Sequence, residues 1–468
     1  MTLIHFFTKT NQGGFVSIWE AIQGGLATIG KTAMTWWSSG DLWRLFVDIA
    51  TLLLAIAAIY IAKHEWNNTS HQRRRENFKI LGEMQANDST RIQNSLRSAP
   101  RNPRDRHLIY EDLLVTQEWH WISGQPLVPL GQVKLTPSVE VRNHHPIRKA
   151  VASTGILPNP KMTLTDNLLL FSGDRSYDAP SYALDSNPNV NFAKGTVELV
   201  VRQGSYFEFI DTCICYGYEA ADALLGQSPS KLLLRQKFAL SDFTNRHAQI
   251  GIVTLVVIRE MSLDGSSKSW LLLQKRSSDV TESANLENAV PGATFQPTHI
   301  DSSGQLTEAA LKEALFETVV REFCEEVLGT EEFSECTSGA SVRARPEWDL
   351  LKDKTYFLGM GINPLNPYIE LLCLASIDMR SDLAREAFGG RTVEHLRSSI
   401  KANHEGTIEL KPFDEETLRH YSHQYRAAPA LRQLCKITLD GLTDPDFRRI
   451  LGIDSTTSQY SSRSAPAS

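Results

Sequence analysis

Three glutamates, Glu322, Glu325 and Glu326, stand close together in the sequence. If the segment is helical, residues three and four apart share one face, so the three carboxylates converge. Like charges held together repel, and a hard divalent cation such as Mg²⁺ or Mn²⁺ can offset that repulsion. A solvated acidic helix face with ordinary ion pairs is the alternative interpretation. The spacing therefore predicts a candidate metal site and leaves the alternative open.

An amphipathic helix from Glu308 to Val327 is predicted to carry these glutamates, because apolar residues recur there every three or four positions. Arg321 follows Glu317 by four residues, so this pair can stabilise one turn of the helix. Gly329 follows the acidic run and can end the helix in a left-handed conformation.

Strands are predicted on both sides of this helix, which gives a mixed α/β unit with helices packed on a sheet. Lys275 and Arg276 follow the second strand, where they could hold phosphate oxygens. The predicted strands are Ile250–Ile258, Trp270–Leu273, Tyr356–Met360 and Ile369–Ile377, and the later helices are Phe413–Tyr421 and Ala430–Leu439.

Residues 245 to 440 resemble the Nudix superfamily. The run Arg-Glu-Phe-Cys-Glu-Glu over 321–326, with Glu313 eight positions before Arg321, resembles the second half of the Nudix box. That box reads Gly, five residues, Glu, seven residues, Arg-Glu-hydrophobic-any-Glu-Glu-any-Gly. The flanking order also agrees: an apolar strand, a leucine-rich strand that ends in Lys275-Arg276, and Pro291-Gly292 before the helix.

The chain departs from the Nudix box at two positions. Thr307 stands where the leading glycine is expected, so we take Gly292 as its equivalent, with about fifteen extra residues through Gln296 to Leu306. The terminal glycine comes one place late, because Leu328 occupies its position and Gly329 follows. The insertion could reshape or cover the pocket, whereas the acidic residues of the motif are intact.

The resemblance implies a catalytic and metal-binding set of Glu322, Glu325, Glu326 and Arg321. The three glutamates would bind Mg²⁺ or Mn²⁺, which would bridge phosphate oxygens and generate hydroxide from bound water. Arg321 would orient the cluster through Glu317 or Glu313.

The same resemblance suggests where the nucleotide would bind. Lys275, Arg276 and Gly292 are the predicted ligand-binding residues, although an exposed strand end explains the two basic residues equally well. The box does not assign a general base, and Glu370 on a later strand is one candidate for that role.

An apolar run of 18 residues from Leu45 to Ala62, with Asp48 as its one charge, predicts a transmembrane helix. The flanking aromatic residues Trp43 and Trp66 suit membrane interfaces. More basic residues follow the run than precede it, so the C-terminal part is predicted to be cytoplasmic. A buried core helix is the alternative interpretation.

The rest of the chain divides into four further segments. Residues 15–36 form an amphipathic pattern that predicts either an interfacial helix or the first arm of a membrane hairpin. Residues 65–105 read as a polar basic stalk, 106–245 as an α/β lead-in region before the Nudix-like domain of 246–453, and 454–468 as a disordered tail.

Charge and cysteine content narrow the class of protein. The net charge of −6 argues against a generally basic nucleic-acid binder, so DNA binding is not expected. The six cysteines form no CxxC pair, which favours reduced thiols in a reducing compartment over a metal site.

Two functions follow from this organisation. The order of membrane helices, stalk and Nudix-like domain resembles the transmembrane Nudix effectors of bacterial cyclic-oligonucleotide antiphage signalling. That resemblance implies a chain in the bacterial inner membrane, with a domain that senses a cyclic nucleotide and membrane helices that assemble as a homo-oligomer to disrupt that membrane. The alternative is a membrane-tethered Nudix hydrolase that cleaves a nucleoside diphosphate linked to another moiety.

Overall fold

The computed structural model describes residues 42–453 apart from 100, 141, 143, 173–177, 227–231, 262–266, 278–284, 298–305, 331–341 and 401–405. The chain divides into two compact units, one up to Arg74 and one from Arg75 onward. The amphipathic segment 15–36, most of the insertion before the acidic helix and the predicted disordered tail 454–468 lie outside the described residues.

The predicted transmembrane helix or helical hairpin is not supported. No helix among residues 42–453, within the described ranges, is both long and apolar enough to span a bilayer. The run from Leu45 to Ala62 belongs to a 46-residue helix, α1 (Leu42–Asn87). A spanning helix needs about 20 consecutive, mainly apolar residues. Helix α1 instead joins the apolar run to the charged sequence that follows, in one continuous element.

The predicted stalk differs from what the structure shows over its second half. Residues 75–87 of α1 and helix α2 (Ser89–Leu96) belong to the larger unit. Phe78, Leu81, Ile92 and Leu96 are all buried, and the Phe78 ring stacks on Tyr218 with centroids 5.0 Å apart. Apolar residues at helical spacing within a polar sequence therefore place this segment in the core rather than in a linker.

The larger unit is built on a mixed sheet whose strands run in the spatial order β1-β2-β12-β13-β8-β9-β10. Strands β3, β11 and β14 extend it by pairing with β12, β8 and β9. At its centre β8 and β13 are parallel, and their side chains are almost all buried. These ten strands are β1 (Ile109–Tyr110), β2 (Leu114–Val115), β3 (Val128–Pro129), β8 (Ile250–Met261), β9 (Ser267–Arg276), β10 (Glu287–Ala289), β11 (Gly292–Thr294), β12 (Thr355–Ile362), β13 (Ile369–Asp378) and β14 (Gly406–Pro412).

A smaller sheet lies within the predicted lead-in region. Its order is β4-β7-β5, with β6 also paired to β7, and β4 runs parallel to β7. These strands are β4 (Lys134–Pro137), β5 (Pro180–Leu184), β6 (Asn189–Asn191) and β7 (Thr196–Ser205). Strand β7 ends at Ser205, and the next residues, Tyr206–Phe209, are helical, because Ser205 and Glu208 form a capping box that starts a helix there.

The helices that cover these sheets are mostly short. Those before the acidic motif are α3 (His145–Thr154), α4 (Leu164–Asn167), α5 (Tyr206–Phe209), α6 (Cys215–Leu225) and α7 (Leu233–Lys237). Those from the motif onward are α8 (Glu308–Leu311), α9 (Ala314–Glu322), α10 (Pro346–Leu351), α11 (Asp382–Phe388), α12 (Val393–Ser399), α13 (Glu415–His423), α14 (Pro429–Gly441) and α15 (Pro445–Leu451).

The predicted continuous helix Glu308–Val327 is broken in the structure. Helix α8 ends at Leu311, and Lys312 then takes an extended conformation. Glu313 follows in the left-handed region, with φ of 62°, and α9 starts at the next residue. After Glu322 the chain makes a π-helical turn, Phe323–Val327. The motif is therefore carried by three short elements.

Candidate functional site

Glu326 contacts two other residues of the predicted site, Gly292 and Arg276. The backbone N–H of Gly292 donates a hydrogen bond of 2.8 Å to Oε2 of Glu326. Nη1 of Arg276, at the end of β9, lies 3.8 Å from Oε1 of the same carboxylate. Glu326 is only 2% exposed, so this charged group is held inside the protein by a backbone donor and a guanidinium. The structure thus brings together Arg276, Gly292 and Glu326, which the sequence assigned to two different parts of the predicted site.

The π-helical turn places the three glutamates in different elements and gives them different exposures. Glu322 is the last residue of α9, whereas Glu325 and Glu326 lie in the wider turn of Phe323–Val327. Glu322 and Glu325 are partly exposed and Glu326 is buried. Wide π-helical turns inside helices are frequent at functional sites. Here the turn places the Glu326 carboxylate toward β11.

The chemistry of Glu322, Glu325 and Glu326 favours a metal ion, but the arrangement of the three side chains does not. Three carboxylates are suitable ligands for Mg²⁺ or Mn²⁺. Across the part of the chain that the structure describes, however, no three or more acidic, histidine or cysteine side chains are grouped so that they could hold an ion. The set as arranged therefore does not fit a three-ligand cation site, and metal binding stays a prediction.

Arg321 contacts its neighbour in the motif. Its Nη2 donates to Oε1 of Glu322 at 2.8 Å. Of the two acidic partners that the resemblance implied for Arg321, Glu317 is buried, with 1% exposure, and Glu313 lies 3.7 Å from Arg343. Arg321 thus fixes the first glutamate of the set.

The remaining predicted residues occupy the sheet. Lys275 is exposed on β9, next to Arg276. Gly292 begins β11 and pairs with Val253 of β8. Glu370 lies on β13 and pairs with Gly251, two residues before Val253 on the same strand, so it is a near neighbour in the sheet.

The Glu370 carboxylate is buried and hydrogen-bonded to a neighbouring side chain. It is 4% exposed, and the side-chain amide of Asn363 donates to its Oε1 at 2.8 Å. Burial raises the pKa of this carboxyl, while hydrogen bonds from Asn363 and Tyr368 act in the opposite direction. Its proposed role as general base is not tested by these contacts.

Cys324, within the motif, is not an available nucleophile. Its side chain is buried, and burial raises the pKa of the thiol to about 12. At neutral pH the group is therefore protonated, and a protonated thiol is a poor nucleophile. This agrees with the prediction that the cysteines are reduced, and Cys213, Cys215, Cys373 and Cys435 are likewise buried and form no disulfide within the described residues.

Sequence reasoning missed a second group of polar residues around a cavity. Thr116, His120 and Gln433 line it, and His120 and Gln433 are 313 positions apart. No motif or spacing could have joined them, because the contact depends on α14 packing against the start of the larger unit.

Comparison with known proteins does not assign this chain to a family. No family model matches it, and no curated protein matches it either.

Proposed function

We propose that the larger unit binds the phosphate of a nucleotide where Gly292, Arg276 and Glu326 meet, and that it acts as a sensor of that nucleotide. The observation that carries this proposal is the buried Glu326 carboxylate, bonded to the Gly292 N–H and close to Arg276. Phosphate oxygens are commonly bound by the same donors, namely backbone N–H groups and guanidinium groups.

Glu326 acts in this proposal as an internal anion that occupies the phosphate-binding donors. A ligand phosphate competes with the carboxylate for the Gly292 N–H and for Arg276. Because Glu326 is 2% exposed and sits in the π-helical turn, its displacement requires that turn to move. Ligand binding is then coupled to a change of conformation, which is the property that a sensor needs.

Two resemblances suggest the chemical class of the ligand. The domain order resembles that of effectors that sense a cyclic oligonucleotide, which is the first candidate, and the Nudix box suggests a nucleoside diphosphate linked to another group, which is the second. The proposed sensor is the larger unit alone, and membrane-spanning helices have no role in it.

The test uses the purified full-length chain, with and without Mg²⁺. Cyclic di- and trinucleotides and linear nucleoside diphosphate conjugates are compared by thermal shift, and chromatography detects any product. We expect one of these ligands to raise the melting temperature without being consumed, since ligand at 100 times Kd adds about 2.7 kcal/mol of stability. Rapid Mg²⁺-dependent release of a phosphate-bearing product would instead identify a hydrolase.

Variants of Arg276 and Glu326 distinguish these outcomes further. Arg276→Ala removes a phosphate donor and should weaken binding about tenfold, or ~1.4 kcal/mol. Glu326→Gln removes the competing charge, so a sensor should bind its ligand more tightly, whereas a hydrolase that needs this carboxylate should lose turnover.

Arg385→Ala is the matched control, because Arg385 is an exposed arginine on α11 whose pairing with Asp382 is a surface contact. It should leave ligand affinity unchanged. Weaker binding in Glu326→Gln, without any turnover in the parent chain, would contradict the competition on which the proposal rests.

A further inference from the structure

Asn288, on β10, places a side-chain amide beside Gly292. A β-carbon added at Gly292 would meet two atoms outside its chain neighbours within 4 Å, namely Nδ2 of Asn288 and the carbonyl oxygen of Ala289, each at 3.7 Å. Both are ordinary van der Waals distances, so the space beside the Gly292 Cα is open. The Asn288 amide nitrogen lies across this space from the Gly292 backbone.

The backbone of β11 does not itself require glycine at position 292. Gly292 does not have a positive φ, and it pairs with Val253 as an ordinary strand residue. Since neither the backbone conformation nor a close contact excludes a side chain here, the lack of one leaves room for another group beside Asn288.

One hydrogen bond fixes which end of the Asn288 amide faces this space. The backbone N–H of Ala289 donates to Oδ1 of Asn288 at 3.0 Å, and an N–H can be accepted only by the oxygen end. Nδ2 is therefore the donor end, and it has no hydrogen-bond partner among the described residues. Asn288 is 7% exposed, but Nδ2 is not one of the unpartnered atoms that are closed off from solvent, so a ligand can reach it.

Strand register places Asn288 and Arg276 on the same face of the sheet. Asn288 pairs directly with Gln274 of β9, and directly opposed residues project to the same side. Arg276 follows Gln274 by two positions and so shares that face. Nη1 of Arg276 donates to Oε1 of Gln274 at 3.3 Å, which holds the guanidinium on the side of the sheet that carries Asn288.

We infer that Asn288 donates a hydrogen bond from Nδ2 to a phosphate oxygen of the ligand, in the space beside Gly292. The inference rests on the proposed phosphate site and adds a donor to the Gly292 N–H and Arg276. A phosphate group presents several acceptor oxygens, so it can accept from all of these donors. The Gly292 N–H is bonded to Glu326 in this structure, whereas Nδ2 of Asn288 is not, so Asn288 can engage the ligand before the carboxylate is displaced.

The test is calorimetric titration of the full-length chain with inorganic phosphate at constant ionic strength, with chloride as the reference salt. We expect the parent chain to bind phosphate and Asn288→Asp to bind it about tenfold more weakly or worse. Aspartate keeps the oxygen that accepts from Ala289, but it replaces the donor nitrogen with a second, negatively charged oxygen.

Gly292→Ala is a second variant that tests the space itself. The added methyl group makes only ordinary contacts and leaves the backbone N–H in place, so the fold should be retained. Because the methyl group lies between the Gly292 backbone and Asn288, it should also weaken phosphate binding about tenfold. This variant decides the matter if Asn288→Asp does not fold.

Two matched controls repeat these changes elsewhere. Asn77→Asp makes the same change of charge at an exposed position of α1, and Gly131→Ala adds a methyl group where no atom lies within 4 Å. Both should bind phosphate as the parent does, and urea denaturation confirms that each variant is folded.

The result for Arg276→Ala separates this inference from the proposed function. If Arg276→Ala weakens phosphate binding but folded Asn288→Asp or Gly292→Ala binds as well as the parent, the inference is overturned and the phosphate site stands. If the parent does not bind phosphate, or if Arg276→Ala binds it equally well, the phosphate site fails and the role of Asn288 fails with it.

Discussion

Three histidines, buried His144 and His247 and half-buried His120, make the stability of the fold sensitive to acid. Burial lowers the pKa of His120 and of His144 to about 4, and the positive charge of Arg202 adds to the effect at His144. The pKa of His247 is also well below its ordinary value, through burial first and then the charge of Arg202. The folded chain therefore holds all three as neutral imidazoles at neutral pH.

The surroundings of His247 superficially resemble a hydrolytic site. Its Nε2 lies 3.0 Å from the hydroxyl of Ser181, and its Nδ1 lies 3.6 Å from a carboxylate oxygen of Glu208. Ser181 is 1% exposed and also accepts a hydrogen bond from the side chain of Gln249. A substrate could not reach this hydroxyl without local unfolding, so we interpret the group as a buried polar network that holds β5 beside β8.

The acid sensitivity can be measured as the pH dependence of the unfolding free energy. Between pH 6.5 and about 4 the unfolded chain takes up protons at these histidines and the folded chain does not. Stability should therefore fall as pH falls, by about 1.4 kcal/mol per pH unit for each such histidine. Chemical denaturation at pH 7, 6 and 5 gives this slope.

His144→Asn isolates one of these contributions. Nη2 of Arg202 lies 3.2 Å from Nε2 of His144, and an asparagine carbonyl can accept that hydrogen bond without titrating. The slope should become shallower by about 1.4 kcal/mol per pH unit. An unchanged slope would show that His144 is not the titrating group.

At the scale of elements, Glu313 marks the break that separates α8 from α9. Its φ of 62° lies in the left-handed region, which costs a non-glycine residue roughly 1–2 kcal/mol. The helical periodicity from Glu308 to Val327 predicted that apolar positions face the sheet, and the buried Val320, Phe323 and Val327 confirm this. Periodicity could not predict the break or the π-helical turn, because neither changes which residues are apolar.

The cost of this conformation can be measured with a pair of variants. Glu313→Gly and Glu313→Ala both remove the contact with Arg343, but only glycine adopts a positive φ without strain. The glycine variant should be the more stable of the two by about 1 kcal/mol. Equal stabilities in urea denaturation would mean that the left-handed conformation at 313 carries no cost.

The central strands were the most predictable elements. Continuous apolar runs predicted β8, β12 and β13, and the structure confirms each within a few residues. Buried strands are easy to recognise in a sequence, because the residues on both of their faces must be apolar. The contact between Glu326 and Gly292 and the cavity around Gln433 could not be predicted, because both depend on tertiary packing that has no local signal in the sequence.

For the whole molecule, the division at Arg74–Arg75 predicts where the chain can be shortened. A fragment from Arg75 to Ile453 keeps Phe78, Leu81, Ile92 and Leu96 in the core. A fragment that begins at residue 98 loses all four, and each buried side chain of this size contributes about 1.5–3 kcal/mol. That loss is comparable with the whole stability of a typical domain, 5–15 kcal/mol.

We therefore expect the first fragment to unfold cooperatively and the second to be unfolded or molten. Near-ultraviolet circular dichroism and urea denaturation distinguish these states. Cooperative unfolding of the shorter fragment at a similar midpoint would show that the helices before residue 98 are dispensable.

The parallel pairing of β8 with β13 also has a consequence for how the chain reaches its fold. Arg259 and Asp378, which are paired in register on these two strands, are 119 positions apart. The β8–β9 pair can form early, because its strands are adjacent in sequence, whereas β13 arrives only after the intervening segment has been closed into a loop. Until then the apolar inner edge of β8 has no partner. A newly made chain therefore passes through a stage in which concentration decides between folding and aggregation, so refolding yield should improve on dilution.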